Sequence, residues 1–178
     1  MAGLILGWLY VRRLLETPHL WKTDKPPLTI ERIDDLLLYM TLAIIVPVLN
    51  EGAALTQGLQ ALQPLRARGA ELLVVDGGST DGSAAAAAPL ADQVLAAPRG
   101  RAAQMNAGSC ATRADTLLFL HADTQLPPDA DVLVAQALRA GHAWGRFDVH
   151  IHGRHPLLPM VAALMNARSR ITGIATGD

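Results

Sequence analysis

A mostly parallel α/β sheet with helices on both faces is the fold this sequence predicts, and three observations predict it. From residue 42 onward, short apolar runs alternate with helix-patterned segments. The runs are continuously apolar, as in parallel strands buried on both faces. Three of them end on clusters of glycine and polar residues, and ligands of open parallel sheets bind beyond those strand ends.

The elements follow in order. Residues 42–48 (LAIIVPV) read as an unbroken apolar strand. In 53–66, Leu55, Leu59, Leu62 and Leu65 recur at helical spacing. A second strand is expected at 71–75, then a helix over 79–88 whose first turn Gly82 weakens. A brief strand at 93–95 precedes an alanine-rich helix over 99–112. Residues 116–120 (TLLFL) read as another buried strand. The segment 127–140 reads as a helix with Pro128 in its first turn, where a missing N–H costs little. A strand over 143–152 and a helix over 157–170 follow.

Residues 1–39 have a different character. They hold both lysines, both tyrosines and two of the three tryptophans. A domain is therefore expected over 40–178, behind an N-terminal extension, 1–39, to which the sequence assigns no role. A helix over 31–39 packed on that domain is the other reading. The apolar run 4–10 is too short to span a bilayer, which takes about 20 apolar residues. It reads as an interfacial anchor or as a plain extension.

Composition narrows the function. Apolar residues make up 51% and charged residues 17% of 178, so the chain is globular rather than disordered. A net charge of -1 offers no basic face for nucleic acid. The one cysteine, Cys110, forms no internal disulfide and reads as a small buried helix residue.

The chemistry-bearing runs sit at the strand ends. Asn50 and Glu51 follow the first strand. In VVDGGSTDGS, Asp76 follows a strand, Gly77 and Gly78 allow close approach of backbone, and Ser79 can cap a helix. A nucleotide site and a capped turn without ligand explain that run equally well. It is not the G-x-G-x-x-G pattern of dinucleotide enzymes. In PRGRAAQMNAG, Arg99 and Arg101 open a helix, and both arginine and a helix N-terminus favour anionic oxygens. Two solvated arginines are the plainer reading. Gln104 and Asn106 follow, facing a ligand or capping a turn. In LLFLHADTQLPP, His121 and Asp123 are spaced to share a divalent cation, Mg2+ or Mn2+, that bridges diphosphate oxygens. A hydrogen-bonded histidine at a strand end is the rival reading. Alternation along 143–152 would put Arg146, Asp148, His150 and His152 on one face. A zinc cluster built from His142, His150, His152 and His155 lacks metal-site spacing.

Taken together, AIIVPVLNE, LLVVDGGSTDGS and LLFLHADTQLPP resemble the GT-A glycosyltransferases of family 2. The runs PRGRAAQMNAG at 98–108, FLHADT at 119–124, WGRFDV at 144–149 and 163–178 are similar to the bacterial radical-SAM/selenodomain-associated transferase 2 subgroup. The resemblance spans 40–178. It implies a nucleotide-sugar donor, most often a UDP-sugar, and an acceptor hydroxyl that attacks with inversion. It implies that Pro47 and Glu51 flank the nucleotide, with Asp76 at the base. It puts Gly77, Arg99, Arg101 and Asn106 in the donor site. Asp123 takes the place of the second acid of the Asp-x-Asp metal motif, and His121 the place of the first. The family's usual base belongs to a later Glu-Asp motif, which is not in this sequence.

A nucleotidyltransferase is the second reading, although its basic glycine-rich loop is missing after the first strand. A non-catalytic binding domain or membrane-associated partner is the third. The acceptor, unidentified, is expected to be lipid-like if the chain sits at a membrane. The location expected is the cytoplasm, with peripheral attachment to the inner membrane face as an extension of that view. The chain is further expected to lack its acceptor half. The face of 143–152 and the inner face of 157–170 would then be bare, and the fragment would be marginally stable or would self-associate through them.

Overall fold

The computed structural model describes residues 7–11 and 41–172. The helix considered over 31–39 and the glycine-bearing end of the chain from 173 onward lie outside them.

Six strands form one sheet in the order β4-β3-β2-β5-β1-β6. They are β1 Gly7–Val11, β2 Leu42–Val48, β3 Glu71–Asp76, β4 Gln93–Ala96, β5 Thr116–Leu120 and β6 Trp144–Arg146. The four strands β4-β3-β2-β5 are parallel. The segment read from sequence as an extension contributes β1, antiparallel to β5 on one side and β6 on the other. The helices are α1 Gly52–Ala61, α2 Gln63–Ala67, α3 Ser83–Ala87, α4 Arg101–Ala111, α5 Ala130–Arg139 and α6 Leu158–Thr172. This is the α/β layered fold that the apolar runs predict.

The two faces of the sheet use alternate residues of each strand, as the pleat requires. Ile44, Val46, Leu72, Val74, Leu118 and Leu120 pack with Leu55, Leu59, Leu62 and Leu65 from α1 and α2. Ala43, Ile45, Leu73, Val75 and Leu117 form the smaller core on the other face, towards α4. There Gly108 allows α4 to close on the sheet, since a Cβ at that position would stand 2.5 Å from Ile45 Cγ2.

The helix read as continuous over 53–66 is two helices. Pro64 has no N–H to continue the first ladder, and α2 restarts with it in the first turn. The side-chain amide of Gln63 donates to the carbonyls of Leu59 and Leu90 (both 2.9 Å), bracing the break.

The strand expected over 143–152 is also corrected: it keeps only Trp144–Arg146. Beyond Arg146 a side chain takes the place of a neighbouring strand. Asn166 on α6 accepts from the Val149 N–H (2.8 Å) and donates to its carbonyl (3.0 Å). Arg146 binds Asn166 Oδ1 (3.1 Å), the carbonyl of Phe147 (2.9 Å) and the Ser169 hydroxyl. Asp148 pairs with Arg170. The regular alternation expected for Arg146, Asp148, His150 and His152 therefore ends with the strand.

The bare faces differ from expectation too. The inner face of α6 is covered, with Ala162 buried against Val149 and Ile151. Its outer stripe is the exposed one, formed by Met160, Val161, Leu164 and Ile171, with Leu157 exposed just ahead of the helix. Cys110, expected to be buried, is exposed on α4. No helix among the described residues is long and apolar enough to cross a membrane.

At the foot of the sheet Arg68 makes a two-pronged pair with Asp131, at 2.7 and 2.9 Å. Burial works to raise the Asp131 carboxyl. The Arg68 hydrogen bonds and the Val132 N–H outweigh it and hold the group below its ordinary 3.8. A carboxyl depressed in the folded state stabilises fully above its unfolded value, and that stabilisation is lost as pH falls through the folded value. The share of stability contributed by this pair, read as the difference in melting between the parent and Asp131→Asn by circular dichroism, is expected to be constant from neutrality down to about pH 5 and to be lost below 3.8. Asp131→Asn should cost about 1 kcal/mol at pH 7, since Arg68 is partly exposed, and should flatten the acid limb. An unchanged acid limb would remove this pair from the account.

Candidate functional site

The site starts from an interruption in the sheet. Parallel pairing between β2 and β5 runs from Leu42↔Thr116 to Ile45↔Phe119 and stops there. Pro47, two residues on, has no N–H to offer β5. On its other side β2 stays paired with β3 as far as Val48↔Asp76. The chain moves from β2 outward through β3 to β4, then returns to lay β5 on the opposite side of β2. The carboxyl ends of β2 and β5 thus border the point where strand order reverses, where open α/β sheets hold their ligands.

Two loops at this point are cross-linked. Asn50 has a left-handed backbone (φ 55°), the one non-glycine residue with positive φ among those described. Its N–H donates to Ser79 Oγ (2.9 Å), and its side-chain oxygen accepts from the Thr80 N–H (2.8 Å). Asp81 accepts from the Gly52 N–H at the start of α1 (3.0 Å), from the Ser83 N–H at the start of α3 (3.0 Å) and from Ser83 Oγ (2.6 Å). These bonds, led by the Ser83 hydroxyl, hold the Asp81 carboxyl below its ordinary value. Ser83 Oγ also accepts from the N–H groups of Glu51 and Gly52 (both 3.2 Å). Asp76 is buried, and its carboxylate accepts from the N–H groups of Gly78 (3.2 Å) and Ser79 (3.0 Å). The helix cap expected from Ser79 is made instead around Ser83, because α3 begins there.

The charged groups of the three strand ends share one field. Burial raises the Glu51 carboxyl, the charge of Asp123 raises it further, Arg101 opposes this, and Asp81 adds a smaller push upward. Burial lowers the His121 imidazole, Arg101 lowers it further, and Asp123 opposes both. Glu51, Asp81, Arg101, His121 and Asp123, placed at the ends of β2, β3 and β5 and at the start of α4, are thus near enough to act on one another's charge. His121 is neutral at pH 7 and keeps a lone pair for a hydrogen-bond donor or a cation. The Thr124 N–H donates to the His121 carbonyl (3.0 Å), which turns the chain so that Asp123 points outward and is exposed. Among the described residues no group of three or more His, Cys, Asp or Glu side chains could hold a metal ion alone.

The model of the family described as glycosyl transferase family 2 matches residues 43–171. The chain belongs to glycosyl transferase family 2. Two solved structures of Mycobacterium tuberculosis glucosyl-3-phosphoglycerate synthase share its fold. One is 23% identical with a TM-score of 0.54, covering 66% of this chain and 47% of that one. The other, in complex with Mn2+, UDP-glucose and phosphoglyceric acid, is 22% identical with a TM-score of 0.53, covering 66% and 46%. The shared architecture is the α/β GT-A fold, and the family 2 chain spans just under half the length of those enzymes. A stretch of 46 residues is also 48% identical to the phosphatidylglycerol–prolipoprotein diacylglyceryl transferases of Phenylobacterium zucineum (strain HLK1) and Beijerinckia indica subsp. indica (strain ATCC 9039 / DSM 1715 / NCIMB 8712). That match covers 26% of this chain and 16% of the length of either relative.

Within this family 2 fold, the residues marked from sequence fall in two groups. Pro47, Glu51, Asp76, Gly77, Arg101, His121 and Asp123 lie at the strand ends or the start of α4. Arg99 is exposed in the loop ahead of α4. Asn106 is exposed on the side of α4 opposite Gln104. His142, His150, His152 and His155 are exposed, and only the rings of His150 and His152 meet, edge to face at 4.9 Å. Sequence reasoning placed Asp81 in a polar strand end without giving it a role, and did not single out Ser83 or Gly58. The second Asp-Gly-Ser of DGGSTDGS was the available signal for the first two.

Proposed function

We propose that this chain forms the donor-binding part of an inverting, metal-assisted glycosyltransferase that uses a nucleoside-diphosphate sugar, with UDP as the nucleotide. The observation that carries the reading is the opened β2–β5 ladder, with Glu51, Arg101, His121 and Asp123 near enough there to act on one another's charge. Asp76 and Gly77 line the nucleoside end. Arg101 and the first N–H groups of α4 meet diphosphate oxygens. Asp123 would hold Mg2+ or Mn2+, with His121 as a second ligand. Two protein ligands would suit such a cation, which is commonly bound by few protein groups beside substrate phosphates. When bound, the cation supplies neutralisation of the charge on the departing nucleoside diphosphate. The likeness of 98–108, 119–124, 144–149 and 163–178 to the radical-SAM/selenodomain-associated transferase 2 subgroup is part of the proposal. The interlock of Arg146 and Asp148 with Asn166, Ser169 and Arg170 gives two of those runs a common structural reason.

Calorimetry with UDP, with and without Mn2+, tests this. Saturable binding that strengthens with Mn2+ is the expected result. No binding under either condition would sink the reading. Release of pyrophosphate from UTP and a sugar phosphate would replace it with a nucleotidyltransferase.

A further inference from the structure

The helix α4 carries one buried polar side chain, Gln104, only 4% exposed. Its amide nitrogen donates to two main-chain carbonyls, Val48 on β2 (2.8 Å) and Val75 on β3 (2.7 Å). These are the last or next-to-last residues of their strands, just ahead of Leu49-Asn50-Glu51 and Asp76-Gly77. The Val48 carbonyl also accepts the Gly77 N–H (2.9 Å), so one oxygen joins β2, the turn after β3 and α4. Gly77 lies against the same amide: a Cβ there would stand 3.1 Å from Gln104 Cδ and Nε2. One turn along α4, Gly108 seats the helix on Ile45 and Val75, which fixes the height from which Gln104 reaches the strand ends.

We infer that Gln104 is a positioning residue for the nucleotide: it sets the spacing between the Glu51 and Asp76–Gly77 loops without touching the ligand. This rests on the donor-site reading above. An amide is suited to the task because its two N–H groups can serve two carbonyls at once. Without them, buried carbonyls lose a partner exactly where two site loops begin to diverge, and the loops relax apart.

The test compares the parent with Gln104→Met, which keeps volume and removes both donors, and with Gln104→Ala. Gly77→Ala is made in the parent and in the Gln104→Ala background. Each variant is melted, and UDP affinity with Mn2+ is measured by calorimetry at a temperature where circular dichroism shows it fully folded. The expected result is about tenfold weaker UDP binding for Gln104→Met per folded molecule. Gly77→Ala should weaken binding in the parent, and by a smaller factor once Gln104 is alanine, because the crowding against the amide is gone and only its direct effect on the nucleotide is left. A folded Gln104→Met that binds UDP within about twofold of the parent would overturn the inference while leaving the donor site standing. Effects of the two sites that simply multiply would overturn it as well. A parent that binds no UDP takes down the donor-site reading, and this inference with it.

Discussion

Asp123→Ala is expected to weaken binding of UDP in the presence of Mn2+ by about 100-fold and to leave the melting temperature unchanged. The loss is large because even an outer partner of a metal ligand is worth about 10- to 100-fold, and Asp123 is placed as the ligand. The fold is spared because Asp123 is exposed and its turn is held by the backbone bond from Thr124 to His121. Binding of UDP without metal should change little. The substitution also removes one of the negative charges that raise Glu51, so that carboxyl should move back down, with burial and the smaller push of Asp81 left to lift it. Calorimetry with and without Mn2+ reads the first effect directly. Equal enhancement by Mn2+ in parent and variant would take Asp123 out of the metal's surroundings.

Gly58→Ala is expected to destabilise the protein by about 2 kcal/mol, against the usual direction of such a change. In the middle of a helix, replacing glycine with alanine ordinarily gains about 1 kcal/mol. Here the added Cβ would stand 2.6 Å from the carbonyl oxygen of Ala122 and 3.7 Å from its carbon. That neighbour is backbone, which cannot rotate aside as a side chain can. Either α1 lifts from the sheet, where Leu55 and Leu59 are almost fully buried, or the His121–Asp123 turn is displaced. Thermal melting reads the first outcome and Mn2+-dependent UDP binding the second. A variant that melts at or above the parent temperature and binds UDP with Mn2+ normally would show that the contact is easily relieved.

The central sheet was legible because its strands are buried on both faces. A continuous apolar run such as LAIIVPV has few other uses in a chain of this length, and β2 and β5 fall where the runs do. Helix ends were read less well. Pro64 broke a leucine repeat that periodicity alone carried through. Ser83, not Ser79, begins α3, because the Asp76 carboxylate first folds the intervening turn onto itself. The segment after Arg146 defeated the strand reading for a different reason. Its backbone is satisfied by the Asn166 side chain, and sequence spacing does not reveal a partner 17 residues away. The candidate site could be read as three strand ends. Gln104 was visible only as a polar residue on an apolar helix, and the two carbonyls it serves become evident only once β2 and β3 are side by side.

The shared capping of α1 and α3 has a consequence for how a ligand meets this crevice. Asp81 and Ser83 tie the first N–H groups of both helices into one knot, and Asn50 ties the same two loops again from the other side. Neither loop can breathe without unfastening the other, so the pair opens and closes as a single cooperative unit. A nucleotide bound there, as proposed above, would find a clasp already set and would forfeit little ordering entropy in using it. Asn50 holds its left-handed backbone as part of that clasp, a local strain sustained by the bonds around it.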